Sequence, residues 1–223
     1  MSEISLNKLQ NELKKGKYHL SKLKIDKLKL TKQEKSKKPK GIWYSSNQWI
    51  KHNIQFNYSE THKYMCCFIY KISLNKKNIT TNINDKTKSK ILAIKTIKKL
   101  DEFIKKYEYK NPKPFYNINW NLVSKDFKGI EFIPYLDILD IEKEKNILSI
   151  DQYFRKKKIS KKGEFIDDDY YWNIYYEKYY LKSMGKYLFY EILDVESGCI
   201  WDPSIMDNFE LLYKKKNKKW FIE

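Results

Sequence analysis

The sequence predicts an α+β domain over residues 41–213, preceded by a basic arm (1–40) and followed by a basic tail (214–223). Three observations predict it. Strand-like and helix-like segments follow one another without a regular βαβ alternation. The texture changes at Gly41, from lysine-rich and polar to aromatic and β-prone. Half of the formal net charge of +18 falls in the first 40 residues, where 13 Lys face four acids (Glu3, Glu12, Asp26, Glu34).

Composition bounds the reading. Apolar residues make up 41% and aromatic residues 16%, enough to build a packed core, which excludes a wholly disordered chain. Six Gly and five Pro exclude collagen-like and Pro/Gly-rich classes. No run approaches the ~18 apolar residues of a membrane span, and MSEISLNKLQNELKKGKYHL has no apolar signal core. The expectation is a soluble intracellular protein. Three cysteines (Cys66, Cys67, Cys199) make no disulfide framework, and three scattered histidines (His19, His52, His62) make no zinc spacing, so no metal is expected. All the basic residues but Arg155 are lysine. That bias suits an AT-rich genome and weakens the charge as evidence for nucleic acid, though the positive field still attracts polyanions.

In the arm, Leu6, Leu9 and Leu13 recur at helical spacing. TKQEKSKKPK reads as a linker ending at Pro39, so the arm is expected to be partly helical or disordered. Gly41-Ile42-Trp43-Tyr44-Ser45 reads as a short aromatic strand, residues 47–51 as a turn or short helix, and Tyr64–Leu74 as a buried strand. Ile91–Ile94 is a strand. Thr96 then caps a helix whose Ile97, Leu100, Phe103, Ile104 and Tyr107 share one face. Asn119 caps a short helix from Trp120 to Phe127. Gly129 is expected to end it in the left-handed conformation before strand Ile130–Ile133. Asp167–Asp169 open a tyrosine-rich helix that Gly185 can end. Strands follow at Tyr187–Val195, Cys199–Trp201 and Phe209–Tyr213. The helical stripe Tyr175, Tyr176, Tyr179, Tyr180 reads as core packing against a sheet, with base stacking as the alternative.

No Walker loop, GxGxxG, HExxH or GxSxG is present. What remains are polar residues at strand ends among aromatics: Trp43-Tyr44-Ser45-Ser46, Gly129-Ile130-Glu131-Phe132, and Glu196-Ser197-Gly198-Cys199-Ile200-Trp201-Asp202-Pro203-Ser204. The plainer reading of each is structural: tryptophans in the core, carboxylates at the surface or in a turn, serines merely ending strands.

NWNLVSKDFKGIEFIPY resembles the W-x-x-V-x-x-x-[YF]-x-G-I-E segment of divergent ADP-ribosyltransferase-like proteins. ESGCIWDPSIM is similar to the E-Y-V-V-F-D-P-S-Q-I strand of ADP-ribosyltransferase toxins. KPKGIWYSS resembles the K-P-x-G-L-W-Y-S first strand of members in giant viruses and protists. The three segments lie in the family's order between positions 39 and 206. The resemblance implies split, mostly antiparallel β-sheets with flanking helices around an NAD-binding cleft. It implies transfer of ADP-ribose from NAD to a protein or nucleic acid acceptor, in a host cytoplasm or nucleus or in a virion. Glu196 or Glu131 would be the catalytic carboxylate, and Trp43, Tyr44, Ser45 and Trp201 would hold the cofactor. The chain departs from the family in lacking a His or Arg on the first strand, with His52 the nearest histidine beyond it. Two further readings stay open. One is a non-enzymatic basic protein that binds nucleic acid or belongs to a virion, using the arm for polyanions. The other is a catalytically degenerate transferase fold that acts as a binding module.

Overall fold

The computed structural model describes residues 2–14, 16–45, 66–85, 87–113, 115–157, 168–191, 193 and 196–223. Residues 47–51, read above as a turn or short helix, lie outside the described residues, as do His52 and Asp167.

The strands are β1 (Glu3–Ile4), β2 (Lys17–Ser21), β3 (Ile42–Ser45), β4 (Phe68–Ser73), β5 (Ile79–Thr80), β6 (Ile91–Ala93), β7 (Glu108–Lys113), β8 (Tyr116–Ile118), β9 (Gly129–Phe132), β10 (Ser197–Ile200), β11 (Asn208–Lys216) and β12 (Lys219–Ile222). Ten of them form one sheet in the order β1-β12-β11-β4-β2-β3-β10-β9-β6-β5, and β7–β8 is a separate hairpin. Among the described residues only β5–β6 and β6–β9 pair in parallel. The fold is thus α+β with a mostly antiparallel sheet. The resemblance implies split sheets, whereas hydrogen bonding here is continuous through a narrow join. Among the described residues β2 meets β3 at the single pair Tyr18–Ser45, and side chains reinforce it: His19 Nδ1 lies 2.6 Å from the Trp43 carbonyl.

The main helices pack on one face of this sheet, and strand alternation explains why. Helix α1 (Leu6–Glu12), capped by Ser5, buries Leu9 among Tyr18, Ile69, Tyr213 and Trp220. Helix α2 (Ile97–Tyr107), with Thr96 accepting from the Lys99 amide, buries Leu100, Phe103, Ile104 and Tyr107. Helix α3 (Trp120–Asp126), capped by Asn119, adds Trp120 and Val123. These side chains share a core with Leu92, Ile130, Phe132 and Cys199, the helix-facing residues of β6, β9 and β10. The alternate residues of the same strands face the other way. Tyr44, Ile72, Ile91 and Ile200 pack there with Ile205, and Ile79, Met206 and Phe209 flank them. Helices α4 (Ile138–Glu144) and α5 (Ile150–Lys156) follow β9. The tyrosine-rich helix α6 (Asp168–Tyr175) continues through a π-helical turn, Tyr176–Tyr180. Its stripe packs mainly on α5, where Tyr153, Phe154 and Tyr175 form a cluster with Tyr179 and Tyr180 against it; Tyr180 also packs against the core shared with the sheet. Among the described residues no helix is long and apolar enough to cross a membrane.

Four expectations meet a different structure. Residues 1–40 do not stand apart from the domain, because they supply β1, α1 and the central strand β2. In KYHLS the apolar Tyr18 and Leu20 alternate with Lys17 and His19, a strand pattern that the surrounding lysines obscure. Residues 214–223 are no tail, since they complete β11 and form β12. Gly129 is not left-handed; it opens β9, where an added Cβ would sit 2.8 Å from the Cys199 carbonyl oxygen. Residues 187–191 are helical where the strand Tyr187–Val195 is expected; residues 192, 194 and 195 of that strand lie outside the described residues. Tyr187, Leu188, Phe189 and Tyr190 are all buried, and a short run buried on every side carries no period to separate helix from strand.

Candidate functional site

Three segments distant in sequence, β3, β10 and β9, are neighbouring strands. In register, Gly198 lies between Tyr44 on one side and Glu131 on the other. Residues opposite each other on paired strands share a face, so Tyr44 and Glu131 both point away from the helices. Gly198 between them has no side chain, and the Tyr44 ring lies across it: a Cβ there would fall 2.7 Å from ring atom Cε1 and closer still to Cζ and the hydroxyl. The small residue lets the phenol reach over its strand, and Tyr44 Oη donates to Glu131 Oε2 at 2.7 Å.

The Lys17 ammonium, arriving from β2, donates to the same carboxylate oxygen and lies 5.0 Å from the centroid of the Tyr44 ring. The Glu131 side chain is 5% exposed and that of Lys17 25%, so the ion pair runs from the rim into the interior. A buried carboxylate is tolerated only when it is paired and hydrogen-bonded, and here one oxygen has both. His19, two residues along β2 from Lys17, continues the row. Its ring lies 6.3 Å from Tyr70 and 6.2 Å from Phe209, which stack on each other at 4.6 Å. Tyr70 Oη accepts the Ile25 amide.

The environment sets the protonation states. Burial, and then the negative charge and hydrogen bond of Glu131, push the Tyr44 phenol well above its ordinary value, so it stays a donor. Burial holds His19 below the usual imidazole range, partly offset by its bond to the Trp43 carbonyl. The ring is therefore neutral near pH 7 and carries its proton on Nδ1. Burial keeps Cys199 a thiol.

The structure brings together only some of the residues that the sequence singles out. Glu131 and Tyr44 meet. Trp43, Ser45 and Trp201 do not join them, because strand alternation turns them to the helix side. Trp43 packs against the core there and donates from Nε1 to the Pro39 carbonyl at 3.1 Å. Trp201 is buried in that core, its Nε1 donating to the Phe127 carbonyl at 2.7 Å. Ser45 Oγ donates to the Glu196 carbonyl at 2.7 Å, a structural clamp across the start of β10. Glu196 precedes β10 and is half-buried, and its backbone carbonyl meets β3. Sequence reasoning missed Lys17 and His19. The available signal was the alternation of KYHLS, hidden inside a stretch dominated by charge. Among the described residues no group of three or more His, Cys, Asp or Glu side chains is placed to hold a metal ion.

Comparison of the chain with family models, curated proteins and solved structures finds no match.

Proposed function

We propose that the chain binds NAD on the sheet face away from the helices and transfers ADP-ribose to a protein or nucleic acid acceptor, with Glu131 as its central carboxylate. The observation that carries this reading is the row Glu131–Gly198–Tyr44, built from the three segments that resemble ADP-ribosyltransferase strands. In this reaction the bond between ribose C1′ and the nicotinamide nitrogen breaks, and neutral nicotinamide leaves with the electron pair. The acceptor's nucleophilic atom forms the new bond to C1′ and gives up its proton. Positive charge develops on the sugar as the old bond stretches, as in glycoside hydrolysis. A fixed carboxylate in a site poor in water stabilises that charge.

Each neighbour has a role in that chemistry. The Tyr44 hydroxyl holds the carboxylate in one orientation, and its fully buried ring supports that hydroxyl from within the protein. Lys17 is paired with Glu131 before substrate arrives, and its flexible stem lets the ammonium move toward the rim as the sugar cation forms. Of the two carboxylates that the sequence offers, Glu131 is preferred because it is buried and hydrogen-bonded through its side chain to the first strand, whereas Glu196 is only half-buried. Trp43, Ser45 and Trp201 are assigned to holding β3 and β10 in place.

Calorimetric titration with NAD, paired with an assay for released nicotinamide, tests the reading. The expected result is a binding isotherm, with release abolished in Glu131→Gln while NAD still binds. Absence of both heat and a thermal shift would remove the proposal. Binding with no release in the native chain would leave a binding module and overturn catalysis.

A further inference from the structure

We infer that the loop 32–40 and the β7–β8 hairpin form a binding surface for single-stranded nucleic acid. This inference rests on neither the carboxylate row nor the ADP-ribosyl reading.

The loop has the composition of a linker but is held rigidly. Gln33 is 2% exposed. Its Nε2 donates to the Thr31 and Lys40 carbonyls at 3.2 and 2.6 Å, and its Oε1 accepts the Lys40 amide at 2.9 Å. One buried amide therefore staples the two ends of the loop. The Thr31 amide fixes its start to the Trp201 carbonyl at 2.8 Å, and the Pro39 carbonyl fixes its end to Trp43. Lys32, Lys35, Lys37, Lys38 and Lys40 are thereby presented together, all exposed, with Glu34 the one acid. Holding like charges this close is unfavourable, so the arrangement implies an anionic partner.

The rings specify which anion. Lys35 Nζ lies 5.3 Å from the centroid of Tyr109, and Lys37 Nζ lies 5.1 Å from Phe115 and 5.6 Å from Tyr116. These half-buried aromatics belong to the β7–β8 hairpin, which also carries the exposed Lys110. Glu34 is already paired with Lys40 at 2.6 Å. Among the described residues Lys35 and Lys37 have no carboxylate partner, only ring faces, which are weak partners for exposed ammonium groups. A phosphate offers those ammonium groups a stronger partner. Once they swing to the backbone, the Tyr109, Phe115 and Tyr116 faces become available to unpaired bases. Lysines tracking the backbone, interleaved with aromatic faces, are the features that bind single strands. A duplex keeps its base faces stacked and uses only the charge. An acidic peptide has no need of three rings.

The other basic segment differs. On the β11–β12 hairpin, Lys214 pairs with Glu223 at 2.8 Å and Lys219 with Glu3 at 3.0 Å, so two of its five lysines are already neutralised.

Fluorescence anisotropy with labelled oligo-dT and oligo-U of about 15 nucleotides, and with a duplex of equal length, tests the inference. The expected result is preferential single-strand binding with a steep salt dependence. Lys35→Ala/Lys37→Ala/Lys38→Ala should lower the slope of log K against log salt by about 2, at ~0.7 for each phosphate that is no longer neutralised. Phe115→Ala/Tyr116→Ala should weaken binding about thirtyfold or more with little change in slope. Lys214→Ala/Lys215→Ala/Lys216→Ala should leave both unchanged. No binding at about 50 mM salt, equal affinity for duplex, or loss confined to the β11–β12 variant would each overturn it. The three loop lysines are exposed, so their variant decides the question even if the aromatic one fails to fold.

Discussion

Replacing Gly198 by alanine tests the row on which the candidate site depends. The added Cβ would meet Tyr44 at Cε1, Cζ and the hydroxyl. In an open strand a flexible side chain would swing aside, but Tyr44 is fully buried and its hydroxyl is tied to Glu131. Overpacking in such a place costs about 1–3 kcal/mol, and the rigid ring puts this case at the top of that range. Alanine recovers about 0.5–1 kcal/mol of backbone entropy relative to glycine. Displacing the phenol weakens a hydrogen bond to a charged acceptor, adding roughly 1.5 kcal/mol. The net destabilisation is about 3.5–4 kcal/mol, which for a chain of this size lowers Tm by roughly 7–16 °C. Thermal unfolding followed by circular dichroism reads it directly. A double-mutant cycle identifies the cause: in a Tyr44→Leu background the collision is gone, so Gly198→Ala should then cost less than about 0.5 kcal/mol. An unchanged Tm in the single variant, or an equal loss in both backgrounds, would refute the packing argument and the register behind it.

Three other outcomes follow from the structure. Lys17→Met should cost about 3–5 kcal/mol by leaving a buried carboxylate unpaired, and Lys17→Met/Glu131→Leu should regain most of it; a loss below about 1 kcal/mol in thermal melts would class the pair with exposed ones. Gln33→Ala should leave Tm almost unchanged yet speed tryptic cleavage between residues 32 and 40, seen by mass spectrometry, because it releases only the loop; an unaltered cleavage rate would show that the staple is dispensable. His19 has a folded-state pKa below its unfolded value of about 6.5, so the unfolded chain takes up the proton first as pH falls. Its contribution to stability is present above about pH 6.5 and is lost as pH falls toward the folded value. A His19→Gln variant should flatten that part of a stability–pH profile, and an identical profile would contradict the assignment.

The parts of the fold legible in the sequence are those with strong local signals. Thr96 and Asn119 cap the helices that they announce, and the apolar faces of α2 and α3 land in the core. Strands β3, β6, β9 and β10 show as short β-prone runs beside glycine or polar residues. That they neighbour one another is a long-range fact which no local pattern encodes; only the resemblance pointed to their meeting. Half of the site was legible for the same reason. Glu131 and Tyr44 stood in motif-like segments, whereas Trp43, Ser45 and Trp201 differ from them by strand parity, which becomes informative only once one face is known. Lys17 and His19 escaped notice because a lysine in a lysine-rich stretch reads as solvated charge. Its pairing is decided by Glu131, more than a hundred positions away.

The central place of β2 bears on how the chain is dissected experimentally. Truncating the first forty residues would not yield the same protein with less charge. It would strip from β4 the partner that pairs along Phe68–Ile72 and from β3 the pair at Ser45, baring on β4 a row of backbone N–H and C=O groups that invites edge-to-edge association. It would also remove the α1 cover over Ile69 and Trp220. Such a fragment is expected to aggregate whatever its affinity for polyanions, so the role of these lysines has to be separated from their structural duty one substitution at a time.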